Sequence, residues 1–330
     1  MVVGVALLLA HPLFAAEPGT AEPLRVHGVS AVMELGPLLR AAELMPEGSV
    51  VVRPGNVLNL WRDEAAGPAE EAGESYGTLR APSFPGRADV AGNAETQALR
   101  QSLEHPDVRI VMTVTEGLYR IVGRRSAGIA KMDDLRGKRI ATMPATSAAY
   151  FLHRMLRTAG LTEADVTVVP LQATEAADRL IAGEVDAIAF WEPEVERAHR
   201  VLGNDAIEIK GEGVYRELYN LNTTAGALAD PARRAAILAY MKALRTACRE
   251  AVMDPARTVA LVAESSGFDA ALVGASWHHH RFGCDLPPDV LDIMADEEQW
   301  LAAQEGRRPR SREELAGFID DSLLRELEAQ

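Results

Sequence analysis

Two ten-residue segments of this 330-residue chain carry the same polar residues at the same offsets. Gly86-Arg87-Ala88-Asp89-Val90-Ala91-Gly92-Asn93-Ala94-Glu95 and Gly183-Glu184-Val185-Asp186-Ala187-Ile188-Ala189-Phe190-Trp191-Glu192 share the glycine, the aspartate and the glutamate. Each reads as a Gly-terminated turn, a short strand, and polar groups at the strand's carboxyl end. In open α/β sheets that end, with the start of the following helix, is where ligands are held. Two such ends facing each other would form a cleft able to hold a small molecule by hydrogen bonds.

Other chemistry-bearing residues lead elsewhere. Trp277-His278-His279-His280-Arg281 places three histidines in a row. Consecutive side chains alternate on a strand and spread over roughly 200° on a helix, so no shared metal is expected. The two cysteines, Cys248 and Cys284, lack a C-x-x-C spacing and are too few for a disulfide scaffold. They would be free to pair with each other only in an oxidising compartment, which leaves that disulfide open. Met143, Met155 and Met241 suit core filling. There is no G-x-x-x-x-G-K-[ST] loop, so any ATP hydrolysis belongs to another subunit, and no G-x-S-x-G elbow. No catalytic residue and no cofactor is assigned.

The elements that must position the echoed segments alternate in type. Leu24–Val29 has strand character, and Leu35, Leu38, Leu39 and Ala42 then recur at helical spacing with Pro37 in a first turn. Val50–Arg53 reads as a second strand, and residues 62–87 as an acidic helix followed by a Gly/Pro-rich loop. Asn93 is placed to cap a helix bearing Ala94, Ala98, Leu99 and Leu103, and Val108–Val114 is a buried strand. The grammar restarts at Lys138–Thr142, continues through a helix with Phe151, Leu152, Met155 and Leu156 on one face, and reaches a strand at Val166–Leu171. From Asp230 the pattern is helical, with Asp230-Pro231, Asp254-Pro255 and Ser311–Glu314 as helix-start signals. Repeated βα units argue for α/β architecture with mostly parallel sheets.

Composition sets the outer bounds. Lys and Arg total 34 against 48 Asp and Glu, a formal charge of −14 that disfavours nucleic-acid binding. The length suits two domains. Val2–Ala16 is apolar and ends in small residues, which reads as a secretory segment removed near Ala16 or Ala21, too short to span a bilayer as a helix. A signal peptide over 1–21 and a periplasmic mature protein are expected.

The segments Leu135-Arg136-Gly137-Lys138-Arg139-Ile140-Ala141, Ala159-Gly160-Leu161 with Asp165-Val166, Ala182-Gly183-Glu184-Val185-Asp186-Ala187 and Trp191-Glu192-Pro193 carry a resemblance. They look like the periplasmic solute-binding proteins of ABC importers for aliphatic sulfonates, taurine and nitrate, a superfamily that includes the thiamine-pyrimidine precursor binders. The resemblance runs from about Leu24 to about Arg197. It implies a type II-like, two-lobed α/β binding protein with a cleft between the lobes and a helical C-terminal pack. Lobe one would take 24–115 plus 226–330, and lobe two 116–225.

Carried over position by position, the resemblance implies a ligand site of Ser30, Gly55, Asn56, Asn93, Ala94, Glu95, Thr146, Ser147, Trp191 and Glu192. Helix N-termini with small hydroxyl and amide side chains bind oxyanions without a lysine. Glu95 and Glu192 sit uneasily beside a sulfonate. Either they point away, or the ligand carries a donor or positive group, as an amine or an aminopyrimidine would. Trp191, Tyr150 and Tyr119 would admit a larger apolar ligand if they lined the cleft.

The implied function is capture of a small polar or anionic solute by hinge closure, acting as a monomer and delivering it to a membrane permease driven by an ATPase subunit. The alternative is an enzyme on the same two-lobed fold, similar to menaquinone-pathway chorismate dehydratases or to thiamine-pyrimidine synthases. The latter carry a cysteine-rich run that this chain lacks.

Overall fold

Short apolar runs bounded by turn residues become strands, and segments of helical period lay their apolar stripe on the sheets so formed. The computed structural model describes residues 22–62, 75–76, 79–80 and 84–329. The expected leader and most of the 62–87 stretch lie outside them.

Strand Leu24–Gly28 (β1), helix Leu35–Glu43 (α1) and strand Val50–Pro54 (β2) make the first βαβ unit, with β1 and β2 parallel. Ser75–Tyr76 (β3) and Leu79–Arg80 (β4) pair as a small hairpin. Val90–Ala94 (β5) joins β1 in parallel, Glu95–Gln101 (α2) follows, and Val108–Gly117 (β6) leads out of this layer. Arg120–Arg124 (β7) opens a second sheet. It is completed by Arg139–Thr142 (β8), Ser147–Thr158 (α3), Thr167–Pro170 (β9), Ala173–Ile181 (α4), Ala187–Phe190 (β10), Glu194–Leu202 (α5) and Ala206–Lys210 (β11). Glu217–Thr224 (β12) returns to the first layer. The sheets run β13-β6-β12-β5-β1-β2 and β11-β7-β10-β8-β9, where β13 is His280–Arg281.

The second boundary differs from the sequence expectation. Residues 217–224, assigned from sequence to lobe two, form β12 between β5 and β6 in the first sheet. Backbone pairing on both sides decides this, since a strand bonded to two neighbours belongs to their sheet. The chain beyond is helical as expected, apart from β13: Ala225–Ala229 (α6), Pro231–Met253 (α7), Ala256–Ser266 (α8), Ala270–Ser276 (α9), Val290–Glu305 (α10), Arg312–Ala316 (α11) and Ser322–Glu328 (α12). Asp230 caps α7 through the Arg233 N–H, and Ser311 and Glu314 form the capping box of α11. Asp254 closes α7 rather than capping α8. No helix of the described residues is long and apolar enough to cross a membrane.

The sequence echo has a physical counterpart. Asp89, just before β5, accepts hydrogen bonds from the backbone N–H and guanidinium of Arg25 on β1 at 2.9–3.1 Å. Asp186, just before β10, does the same for Arg139 on β8, at 2.8–3.3 Å. Each clamp fixes the register of two parallel strands at their amino ends. The carboxyl ends of both strand pairs are thereby aligned at the opposite edge.

One apolar core cluster of lobe one packs β1, β5, β6 and β12 against α1 and α7. Cys248 on α7 is disulfide-bonded to Cys284, with the Cα atoms 6.1 Å apart. The bridge ties α7 to the segment leading into α10 across a separation of 36 residues. Closing a loop of that length lowers the entropy of the unfolded chain, worth about 3–4 kcal/mol on the chain-entropy estimate. Replacing both cysteines by serine is expected to lower the unfolding free energy by about 2–4 kcal/mol in urea titrations, with the oxidised parent as reference.

Candidate functional site

The carboxyl ends of β1, β2, β5, β8 and β10 open onto a cavity of about 560 Å³ between the two sheets. Lobe one supplies Val29–Val32 and Glu34 after β1, Gly55 and Asn56 after β2, Phe84 before β5, Asn93 and Ala94 at the end of β5, Gln97 on α2, and Glu217 and Tyr219 on β12. Tyr119, Met143, Thr146, Ser147, Gln172, Ala173, Thr174 and Trp191 come from lobe two. Eight of the ten residues expected from sequence are brought together here: Ser30, Gly55, Asn56, Asn93, Ala94, Thr146, Ser147 and Trp191. Tyr119 lines the cavity as well. Tyr150 does not; it packs among Tyr215, Trp300 and His153.

Local geometry explains the backbone's approach. A Cβ on Gly55 would fall 2.3 Å from His27 Nδ1 and 2.7 Å from Asn59 Oδ1, so only glycine lets this turn lie on β1. Asn56 then caps the short helical turn Val57–Leu60 through the Leu58 N–H at 2.9 Å. Asn93 Oδ1 accepts the Ala94 N–H at 2.9 Å, which leaves its amide nitrogen for the cavity. Thr146 precedes α3, but its hydroxyl donates to the Met143 carbonyl at 2.7 Å and does not cap the helix. The first turn of α3 thus has no side-chain cap, and Thr146 and Ser147 at its start line the cleft. Ala145 beside them has φ 55°, a left-handed backbone that costs a non-glycine residue energy and aims this turn. Gln97 Nε2 donates to the Ala145 carbonyl at 3.1 Å, and Tyr119 Oη and Ser147 Oγ are hydrogen-bonded at 3.0 Å. The first of these bonds runs directly between the lobes.

Glu95 and Glu192 are not among the lining residues. Glu95 is fully buried under β12, where Tyr215 Oη donates to it at 2.5 Å and the Leu218 N–H at 2.9 Å. Glu192 accepts from Arg120 at 2.8 Å and from the Glu196 N–H at 2.8 Å. Arg120 itself is 2% exposed and also reaches Glu196 at 2.7 Å and Glu208 at 2.6 Å. Both glutamates thus brace the walls of the cleft through partners within the protein. Their strand-end position was readable in sequence, but the partners that turn them inward lie 72 to 123 residues away.

The histidine run divides. His280 Nε2 is hydrogen-bonded to Glu34 Oε1 at 3.2 Å, and His279 lies 3.8 Å from Glu192. Burial and the nearby Arg120 guanidinium lower the His279 pKa to about 3, so it is neutral. Among the described residues no group of three or more His, Cys, Asp and Glu is arranged to hold a metal ion. Sequence reasoning missed Glu34, Gln97 and Glu217. Glu34 follows the β1 turn by only a few residues, and Glu217 opens a strand whose polar composition hid it.

Burial raises the Glu95 carboxyl pKa from 4.5 to about 7, against the opposing pull of Tyr215 and Leu218. A carboxyl raised on folding contributes stability that is full below pH 4.5 and lost as pH climbs through 7. The loss is of order 3 kcal/mol. Glu95→Gln, which mimics the protonated acid, is expected to flatten the fall in unfolding free energy between pH 4.5 and 7.5, measured by urea titration at each pH.

Solved structures share this architecture. The alkanesulfonate-binding protein SsuA from Xanthomonas axonopodis pv. citri, bound to MOPS, superposes with a TM-score of 0.67 at 21% identity, covering 93% of this chain and 99% of that one. The nitrate-binding protein NrtA from Synechocystis PCC 6803 gives 0.66 at 12% identity, over 93% and 88%. The desulfurization enzyme DSZB gives 0.57 at 13% identity, over 93% and 99%. At these identities the likeness concerns the fold, which is that of the periplasmic binding proteins. No curated protein sequence matches the chain. A family model described as NMT1/THI5 like matches residues 83–258, more than half of the chain and including most of the cleft's elements, so the protein belongs to the NMT1/THI5-like family.

Proposed function

We propose that the chain is the solute-binding component of an ABC import system, exported to the periplasm and capturing a small polar organic molecule between its lobes. The observation that carries this reading is the cavity itself. Its volume suits a small ligand, and its walls come from two sheets that the chain links through the β6 and β12 crossings. Ser30, Asn56, Asn93, Thr146, Ser147 and the α3 first turn would bind the solute's polar groups, with Trp191 as an apolar wall. The two lobes would close on the ligand by hinge motion, and the closed form would dock as a monomer on a permease whose partner hydrolyses ATP. The Cys248–Cys284 disulfide agrees with an oxidising compartment.

Catalysis on the same scaffold is the competing reading, since a desulfurization enzyme shares the fold. The described lining residues favour capture. They offer hydroxyls and amides on both walls, and the Thr146 and Ser147 hydroxyls bond to the Met143 carbonyl and to Tyr119 rather than to a base that would activate them.

Thermal unfolding of the chain from Glu22 onward, followed against sulfonates, nitrate, amines and a periplasmic extract, tests the reading. A ligand at about 100 times its Kd adds roughly 2.7 kcal/mol. A saturable rise in Tm with the ligand recovered unchanged is expected; recovery of an altered molecule would establish an enzyme. Trp191 is half-buried against Phe190, with ring centroids 5.8 Å apart. Trp191→Ala is expected to weaken binding at least tenfold by calorimetry. A lowered Tm with unchanged affinity would instead assign Trp191 to the core.

A further inference from the structure

The cavity's charged groups are of one sign. Glu34 and Glu217 line it, and no Lys, Arg or His does so among the described lining residues. Glu34 is 1% exposed and Glu217 3% exposed, so both carboxyl groups have given up most of their water. Desolvation on that scale is tolerated when an opposite charge or full hydrogen bonding replaces the water. Among the described residues Glu34 has one such partner and Glu217 has none. Glu217 has no hydrogen-bond partner among the described residues, and its Oε2 is sealed from solvent. Glu34 has His280 on Oε1 at 3.2 Å, while its Oε2 is equally without a partner.

The neighbours of Glu217 make its situation worse. Glu34, Glu95 and Glu297 all bear on it, and with burial they push its carboxyl well above the usual range. Arg216, next in sequence, is spent elsewhere, on Asp289 at 2.6 Å and Glu116 at 2.9 Å. Arg120, the buried cation of lobe two, is saturated by its three carboxylates. Tyr119, Tyr219 and Trp191 add ring surface around the same space, which suits a cation better than an anion.

We infer that the solute presents a protonated amine or amidine to Glu34 and Glu217, on the floor of the cleft. This rests on the solute-binding reading and narrows its ligand class. A cation placed there would draw Glu217 back into its ionised form, with release of its proton to solvent, and gain charge-assisted hydrogen bonds from acceptors positioned by β12 and by the turn after β1. An anionic group in that position would find no opposite charge among the described lining residues.

Calorimetry on the chain from Glu22 onward tests it, with benzamidine, phenethylamine and spermidine as cations, benzamide as the neutral isostere and benzenesulfonate as the anion. At least one cation is expected to bind saturably and benzamide far more weakly. Glu217→Gln and Glu34→Gln should each reduce cation affinity roughly 10- to 100-fold. Glu217→Gln should leave the Tm of the free protein equal or raised, because it removes a repelled buried acid, and this separates lost binding from lost folding. Cation affinity that survives both substitutions overturns the inference, as does a panel in which only benzenesulfonate or benzamide binds, though such a panel leaves the solute-binding reading standing. Absence of binding by the whole panel and by a periplasmic extract overturns both.

Discussion

The cleft depends on where β12 runs. Bonded antiparallel to β5 on one side and β6 on the other, it carries the chain back from the second sheet into the middle of the first. Glu217 and Tyr219 reach the cavity from one face of this strand, while Leu218, on the other, packs into a second core and gives its N–H to Glu95. Shifts of register at Tyr219–Asn220 and Leu221–Asn222 bend it locally, so the strand both closes the sheet and presents the floor of the site. A one-residue slip would exchange the two faces and remove both Glu217 and Tyr219 from the cavity.

Around that strand the charges are arranged in two different ways. In lobe two the buried Arg120 bonds Glu192, Glu196 and Glu208, and with Arg200 on Glu196 and Lys210 on Glu208 the cluster joins β7, β11 and the start of α5 with its charges met. In lobe one Glu34, Glu95, Glu217 and Glu297 are buried near one another with no comparable cation among the described residues. Glu297 has Thr96 at 2.6 Å and Glu95 has Tyr215, so hydroxyl groups stand in for cations. Such a wall is a poor solution for stability alone. It suits a protein whose ligand completes the electrostatics.

Much of this was legible in the sequence for identifiable reasons. Apolar runs such as Val108–Val114, and helices with clear stripes such as α3, follow from period and turn residues. The shared Gly, Asp and Glu spacing pointed to paired strand ends because the same Arg–Asp clamp organises both. β12 was hidden because Glu217-Leu218-Tyr219-Asn220-Leu221-Asn222-Thr223-Thr224 is a buried strand with polar residues at five of its eight positions, which reads as loop. Asn222 bonds the Ala91 and Asn220 carbonyls and Thr223 the Asp89 carbonyl, partners no local pattern reveals. The inward turn of Glu95 and Glu192 was hidden for the same reason.

The crossing of β6 and β12 also orders events in time. Strands β7 to β11 lie in one unbroken stretch, so the second sheet can complete its ladder as soon as that stretch is available. The first sheet cannot: β5 and β6 wait about a hundred residues for the strand that separates them, and contacts so distant in sequence close slowly. Until then both present open edges, which are sites for pairing with other chains. A chain emerging from a ribosome or a translocation pore from its amino end would pass through this state each time, with one lobe finished and the other held open by the missing strand.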